Sequence, residues 1–263
     1  VAFKGPDNNG DKEKLILKAV LTMMQQVHFK NPPLDDNFSH RLYDTYMDRL
    51  DGMKRFLIME DLDLLDDYQD SLDDQIRTDD LKFFEISYKL INNSIEKTRK
   101  WYPELLSQPF DFTIKDSIET DGEKRSYAKD DAELKEFWRS YLKYETLTRL
   151  SDKIKEQETA TEVPEGGKKS VAELEADARK DVLEVFDEWY ERMDKVRRSD
   201  RFEMYVNSIT NVYDPHSDYF NPKEKEHFDI NMSGRLEGIG ARLQMDGDFT
   251  KVVAIIPGGP AWK

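Results

Sequence analysis

From Asp11 to Phe29 the apolar residues Ile16, Val20, Met23 and Val27 recur at helical spacing. Asp11 suits a cap and Asn31-Pro32-Pro33 stops the run, so the pattern predicts an amphipathic helix with those four side chains turned inward. Phe38, Leu42, Tyr46, Leu50 and Met53 repeat the spacing, with Gly52 marking an end or a turn. MKRFLIM, at 53–59, is short and apolar and reads either as a strand or as a buried helical turn. In the acidic segment that follows, Leu62, Leu65, Gln69, Leu72 and Ile76 share one face. Leu81, Phe84, Tyr88, Ile91, Ile95 and Tyr102 then give the longest clean stripe, predicted to stop at Pro103.

Between Phe110 and Ser126 the alternation of Phe110, Phe112 and Ile114 and the turn pair Asp121-Gly122 predict a small hairpin or an extended excursion. Helix resumes near Asp131 with Leu134, Phe137, Trp138, Tyr141, Leu142, Leu147 and Leu150. QETATEVPEGGKKS, at 157–170, is poor in apolar residues and is expected to be a mobile loop between helices rather than a domain boundary. Val171 to Val196 is a long charged helix with Leu174, Ala178, Leu183, Phe186, Trp189 and Met193 inward, and a short helix from Phe202 to Val212 leads into YDPHSDYFNP.

Past Gly234 the pattern changes from period 3.6 to period 2. Three glycines fall within seven positions at Gly234, Gly238 and Gly240; Ile239, Ala241, Leu243 and Met245 then alternate with small or polar residues. Asp246-Gly247-Asp248 reads as a tight turn, KVVAII as a second strand, and PGGPAW as a turn toward a further helix. The expected fold class is therefore mainly α, with many helices followed by a β-rich segment.

Composition narrows the function. The chain has 263 residues and 38% hydrophobic content, enough for a core, and 40 basic against 55 acidic side chains give a formal charge of −15. Such a field repels polyanions, which argues against nucleic-acid partners. No apolar run approaches the roughly 18 to 20 residues needed to cross a bilayer, and VAFKGPDNNG has no apolar signal core, so any export signal is expected to have been removed. The absence of cysteine excludes disulfides and thiolate chemistry but leaves the compartment open.

Several catalytic and metal motifs fail on spacing. The acidic run at Asp61 to Asp80 offers no register with an EF-hand glycine and terminal glutamate, and Gly166-Gly167-Lys168-Lys169-Ser170 lacks the first glycine and preceding strand of a phosphate loop. Asp214, His216 and Asp218 have metal-ligand chemistry, yet Asp-Pro-His-Ser is also strong turn chemistry and is read as a turn. Ser233-Gly234 lacks the elbow glycine before it and a base in context. No catalytic residue, metal ligand or cofactor site is assigned in this chain.

The glycine loop has two readings. Glycines before a strand allow positive backbone angles and tight packing; alternatively, consecutive exposed amides form a nest for a carboxylate, and an open strand edge beside it accepts an extended peptide. A polypeptide C-terminus offers both groups at once.

The segment from Tyr205 to Lys263, with its DPHSDYFNP turn, LEGIGA loop and IIPGGPAW turn in order, resembles the approach to and opening of the PDZ domain in tail-specific proteases, the large periplasmic members of the C-terminal processing peptidase family. The helical part, including FLIMEDLD, is similar to that family's N-terminal domain. The resemblance implies a helical domain over 1–231 and the first part of a PDZ domain over 232–263, in a serine endopeptidase of the Gram-negative periplasm whose serine and lysine dyad lies downstream of this chain. By that pattern Gly238, Ile239 and Gly240 form the carboxylate-binding loop and Ala241 to Leu243 the augmenting strand, the partners being proteins with apolar C-termini. Some 30 residues are too few for an independent unit, so the PDZ part is expected to pack on the helices, pair with a second copy through exposed strands, or stay disordered. The alternative function is a non-enzymatic helical adaptor with a small β appendage.

Overall fold

The computed structural model describes residues 9–160, 167–233, 238–246 and 249–262. Its elements are α1 (Asn9–Val27), α2 (Asp36–Asp51), α3 (Met59–Asp66), α4 (Leu72–Arg77), α5 (Lys82–Leu106), α6 (Asp131–Thr159), α7 (Val171–Asp194), α8 (Arg198–Tyr213) and α9 (Pro222–Ser233), then β1 (Ala241–Asp246) and β2 (Phe249–Ile255). The fold is mainly α, as the periodicity predicts. Two units are distinguished, Val1–Tyr219 and Phe220–Lys263.

In the first unit α5 is the central element, flanked by α6 and α7 and also by α8, which in turn packs with α1 and α2. Local chemistry starts the helices. Asp35 accepts the Phe38 N–H at 3.0 Å, Asp130 accepts that of Glu133 at 2.9 Å, and Ser170 and Glu173 form a reciprocal capping box. The α2 stripe Phe38, Leu42, Tyr46 and Leu50 is buried, whereas Met53 lies outside the helix and is exposed. One aromatic cluster joins Tyr46, Phe83, Phe84 and Tyr205; another joins Tyr102, Trp138, Phe186, Trp189 and Tyr190. Beyond it, Leu150, Leu174 and Ala178 form a smaller core between α6 and α7.

Four expectations need correction. In α1 the buried residues are Glu13, Leu17, Leu21 and Met24, with Ile16 and Val20 half-buried and Met23 and Val27 exposed. Both faces of this helix carry apolar residues, and the buried one also holds Glu13, paired with Arg198 of α8. Leu62, Leu65, Leu72 and Ile76 are all buried, but on two short helices, α3 and α4, separated by turns. The helix at Pro103 continues to Leu106. Proline costs about 3 kcal/mol inside a helix, and burying Leu106 with half-buried Leu105 is worth a comparable amount. Leu147, expected inward on α6, is exposed.

Phe110 to Ser126 adopts the extended form rather than a hairpin, and the Asp121 turn closes through the Arg125 N–H to the Asp121 carbonyl at 3.1 Å. Near its end Ala128 makes a single parallel bridge to Ile58. Of the expected loop at 157–170, Thr161 to Gly166 lie outside the described residues; Gln157 belongs to α6 and exchanges two hydrogen bonds with the Lys169 backbone.

In the second unit, α9 is a helix the hydrophobic pattern does not announce. Its start carries a cap signal, Asn221 accepting the Glu224 N–H at 3.1 Å with Pro222 in the first turn. β1 and β2 form an antiparallel two-stranded sheet pairing Ala241 with Ile255, Arg242 with Ala254, and Leu243 with Val252, which leaves Val253 as a bulge. Asp246 pairs with Phe249; Gly247 and Asp248 of the expected turn lie outside the described residues.

Candidate functional site

The five residues singled out from the sequence lie together at the start of β1. Gly238 is exposed and open on its Cα side, Ile239 is exposed, Gly240 has φ +73°, and Ala241 and Leu243 occupy paired positions on β1. A Cβ on Gly240 would fall 3.0 Å from both the Gly259 Cα and the Pro260 Cδ, so the position requires glycine for its backbone angle and for its neighbour alike.

The carbonyls of this loop are used internally. Ile239 accepts the Ala261 N–H at 2.9 Å and Gly240 accepts that of Ile256 at 2.7 Å. The amides of Gly238, Ile239 and Gly240, by contrast, meet no acceptor among the described residues. The PGGPAW segment is thus the clamp that turns the loop, and the turn toward a helix expected there is one 3₁₀ turn, Pro260–Trp262. The pair Gly258-Gly259, directly after an apolar strand, is the signal in the sequence for a close approach of two backbones.

β1 is paired along one edge by β2, and no other strand joins the sheet among the described residues. All of β2 is exposed, and Ile239, Leu243, Val252, Ile255 and Trp262 present large apolar side chains to solvent. Such a strand offers main-chain donors and acceptors along its outer edge, with apolar surface beside them.

In the helical unit, the residues weighed as metal ligands form a turn. Asp214 accepts the His216 N–H at 2.8 Å, and its carbonyl accepts the Ser217 N–H at 3.0 Å. Asn207 and Asn211 on α8 hold the same segment: Asn207 accepts the Tyr219 N–H at 2.6 Å and Asn211 donates to the Ser217 carbonyl at 2.8 Å. Among the described residues no group of three histidine or acidic side chains is placed to hold a metal, and no helix is long and apolar enough to cross a membrane.

A cleft of about 490 Å³ lies between the loop after α2 and the Asp121-Gly122 turn, with Trp189 on its wall. The loop is organised by Asp51, whose buried carboxylate accepts the N–H groups of Arg55, Phe56 and Leu57 at 2.8, 3.1 and 2.8 Å. Burial raises its pKa to about 6, against the opposing pull of those amides and of Arg125. Gly122 packs its Cα on the Gly52 carbonyl with no room for a Cβ. Three backbone amides thus take up the carboxylate and fix the loop.

Comparison with known proteins agrees with the helical architecture. The family model described as the tail specific protease N-terminal domain matches residues 20–223. A tail-specific protease of Haemophilus influenzae is 25% identical over 253 residues, covering 95% of this chain and 34% of that protein. The chain therefore spans about a third of the length of that curated relative. With the family model covering most of the sequence, this chain belongs to the tail specific protease N-terminal domain family.

Proposed function

We propose that this chain is the non-catalytic, substrate-recognising portion of a periplasmic serine endopeptidase that selects proteins by apolar C-termini. Residues 232–263 supply the first part of a PDZ-type site, in which the amides of Gly238, Ile239 and Gly240 receive the terminal carboxylate while the edge of β1, from Ala241 through Leu243, pairs with the extended chain end. The helices of 1–231 support and position the captured polypeptide. The serine and lysine dyad lies elsewhere in the protein, so the chain by itself does not cut.

The observation that supports this reading is the division of labour in the loop: among the described residues, its Ile239 and Gly240 carbonyls are held by Ala261 and Ile256, its amides meet no acceptor, and the strand edge that follows is unpaired. The Haemophilus influenzae relative, a tail-specific protease, is in keeping with it.

Selectivity tests the proposal. Fluorescent peptides that differ only in their last three residues, apolar or charged, are titrated into the intact protein and followed by anisotropy. A preference of at least about tenfold for the apolar ends, close to 1.4 kcal/mol, is expected. Equal affinity for both sets contradicts C-terminal selection.

A further inference from the structure

The helical unit carries a second exposed apolar surface. Among the described residues of that unit, the large apolar side chains more than 65% exposed lie on α1 or just beyond it: Leu15 at 68%, Met23 at 66%, Val27 at 76% and Phe29 at 79%. Leu15, Met23 and Val27 fall in one row with Ala19, four residues apart, which is the ridge spacing of helix packing. The inward row of the same helix is separately satisfied by Leu17, Leu21 and Met24, so the outward row is not needed for the unit's own core.

Charge identifies the kind of partner. The chain as a whole carries −15, yet the exposed charged residues between Asp11 and Lys30 are four lysines, at 12, 14, 18 and 30, against the single acid Asp11. Glu13 is buried and neutralised by Arg198, and Lys18 lies 3.6 Å from Asp79. Along α1 itself, exposed basic side chains outnumber acidic ones on an otherwise acidic molecule. We infer that the exposed face of α1 docks an acidic amphipathic helix of another protein, whose apolar row packs on Leu15, Met23 and Val27 and whose carboxylates meet Lys12 and Lys14.

A narrow partner fits better than a bilayer. An anionic membrane surface would bring its headgroups against the wider acidic face as well as the lysines, whereas one helix meets only the local positive strip. A second copy packed α1 against α1 would set lysines against lysines.

The test uses the 263-residue chain and an acetylated, amidated synthetic peptide of about 18 residues, long enough to hold a helix, with leucines on one face and glutamates flanking them. The amidated end leaves the proposed carboxylate loop at Gly238–Gly240 without its ligand, so the outcome is independent of that site. Anisotropy is expected to give a Kd at least tenfold lower for this peptide than for a scramble or for a version with lysine in place of glutamate, and binding is expected to weaken as salt approaches about 1 M. Met23→Glu with Val27→Glu should lose at least tenfold; Lys12→Glu with Lys14→Glu, on the outside of the helix, should reverse the preference between acidic and basic peptides. Equal binding of all peptides, or unchanged binding by both variants, overturns the inference. Binding of anionic phospholipid vesicles without peptide binding, or α1-dependent dimerisation in sedimentation, overturns it in favour of those occupants.

Discussion

Gly240 shows how much a single position carries. Its φ of +73° is a conformation that costs an ordinary L-residue about 1 to 2 kcal/mol, and a Cβ there would fall 3.0 Å from the Gly259 Cα. Gly240→Ala should therefore loosen the clamp, raising hydrogen exchange at the Ile256 and Ala261 amides by roughly tenfold while leaving the helices untouched; unchanged protection there would show that the clamp does not depend on this angle. Asp51 makes a residue-scale prediction in pH. Its folded pKa of about 6 lies above the unfolded value of 3.8, so the folded chain holds the proton more tightly. The contribution is fully present below about pH 4 and is lost as the pH rises through about 6, a change near 3 kcal/mol in all. Denaturant titrations at several pH values should show the parent chain gaining stability relative to Asp51→Asn as pH falls from about 7 to 5. At this scale the sequence was least legible. Met23 and Met24 are adjacent and equally apolar, yet Met24 is buried and Met23 exposed, a difference that local spacing does not announce.

Elements were read more readily, because a helix declares itself through local signals. The α2 stripe and the long run of α5 lie within the elements they organise. Where an element depends on a remote partner, reading failed. The stretch before α3 is ordered by Asp51 amide bonds and the Ala128 bridge, and neither leaves a local pattern. Arg198 belongs to this scale, since it ties three helices together: its fork meets Glu13 of α1 at 2.9 and 2.6 Å and reaches Glu85 of α5 from the start of α8. Arg198→Ala would leave the buried Glu13 carboxylate without its partner. A loss of about 3 kcal/mol in urea denaturation is expected, with partial recovery in Arg198→Lys, which keeps the charge but not the fork. A loss below about 1 kcal/mol would mean that α1 is held by apolar packing alone.

At the scale of the molecule the two units differ in what holds them. The first has a continuous buried core of aromatic and aliphatic side chains from eight helices. The second has only a two-stranded sheet and one short α-helix among the described residues, and the sheet is exposed along all of β2. Its amides are expected to exchange at least a hundredfold faster than those of α5, and comparable protection in both units would contradict this picture. The change of period at Gly234 was legible in the sequence, as was the position of the glycine loop; its use of Ala261 and Ile256 was not, because a short turn of glycines and prolines does not name its partner. The central claim is that the amides at Ile239 and Gly240 receive a terminal carboxylate. The most direct measurement is a backbone NMR titration of the intact protein with an apolar-ended peptide carrying either a free carboxylate or a C-terminal amide. Large shifts at Ile239 and Gly240 with the free acid, lost with the amide, are the expected result; equal shifts with both peptides, or none at these two residues, would contradict it.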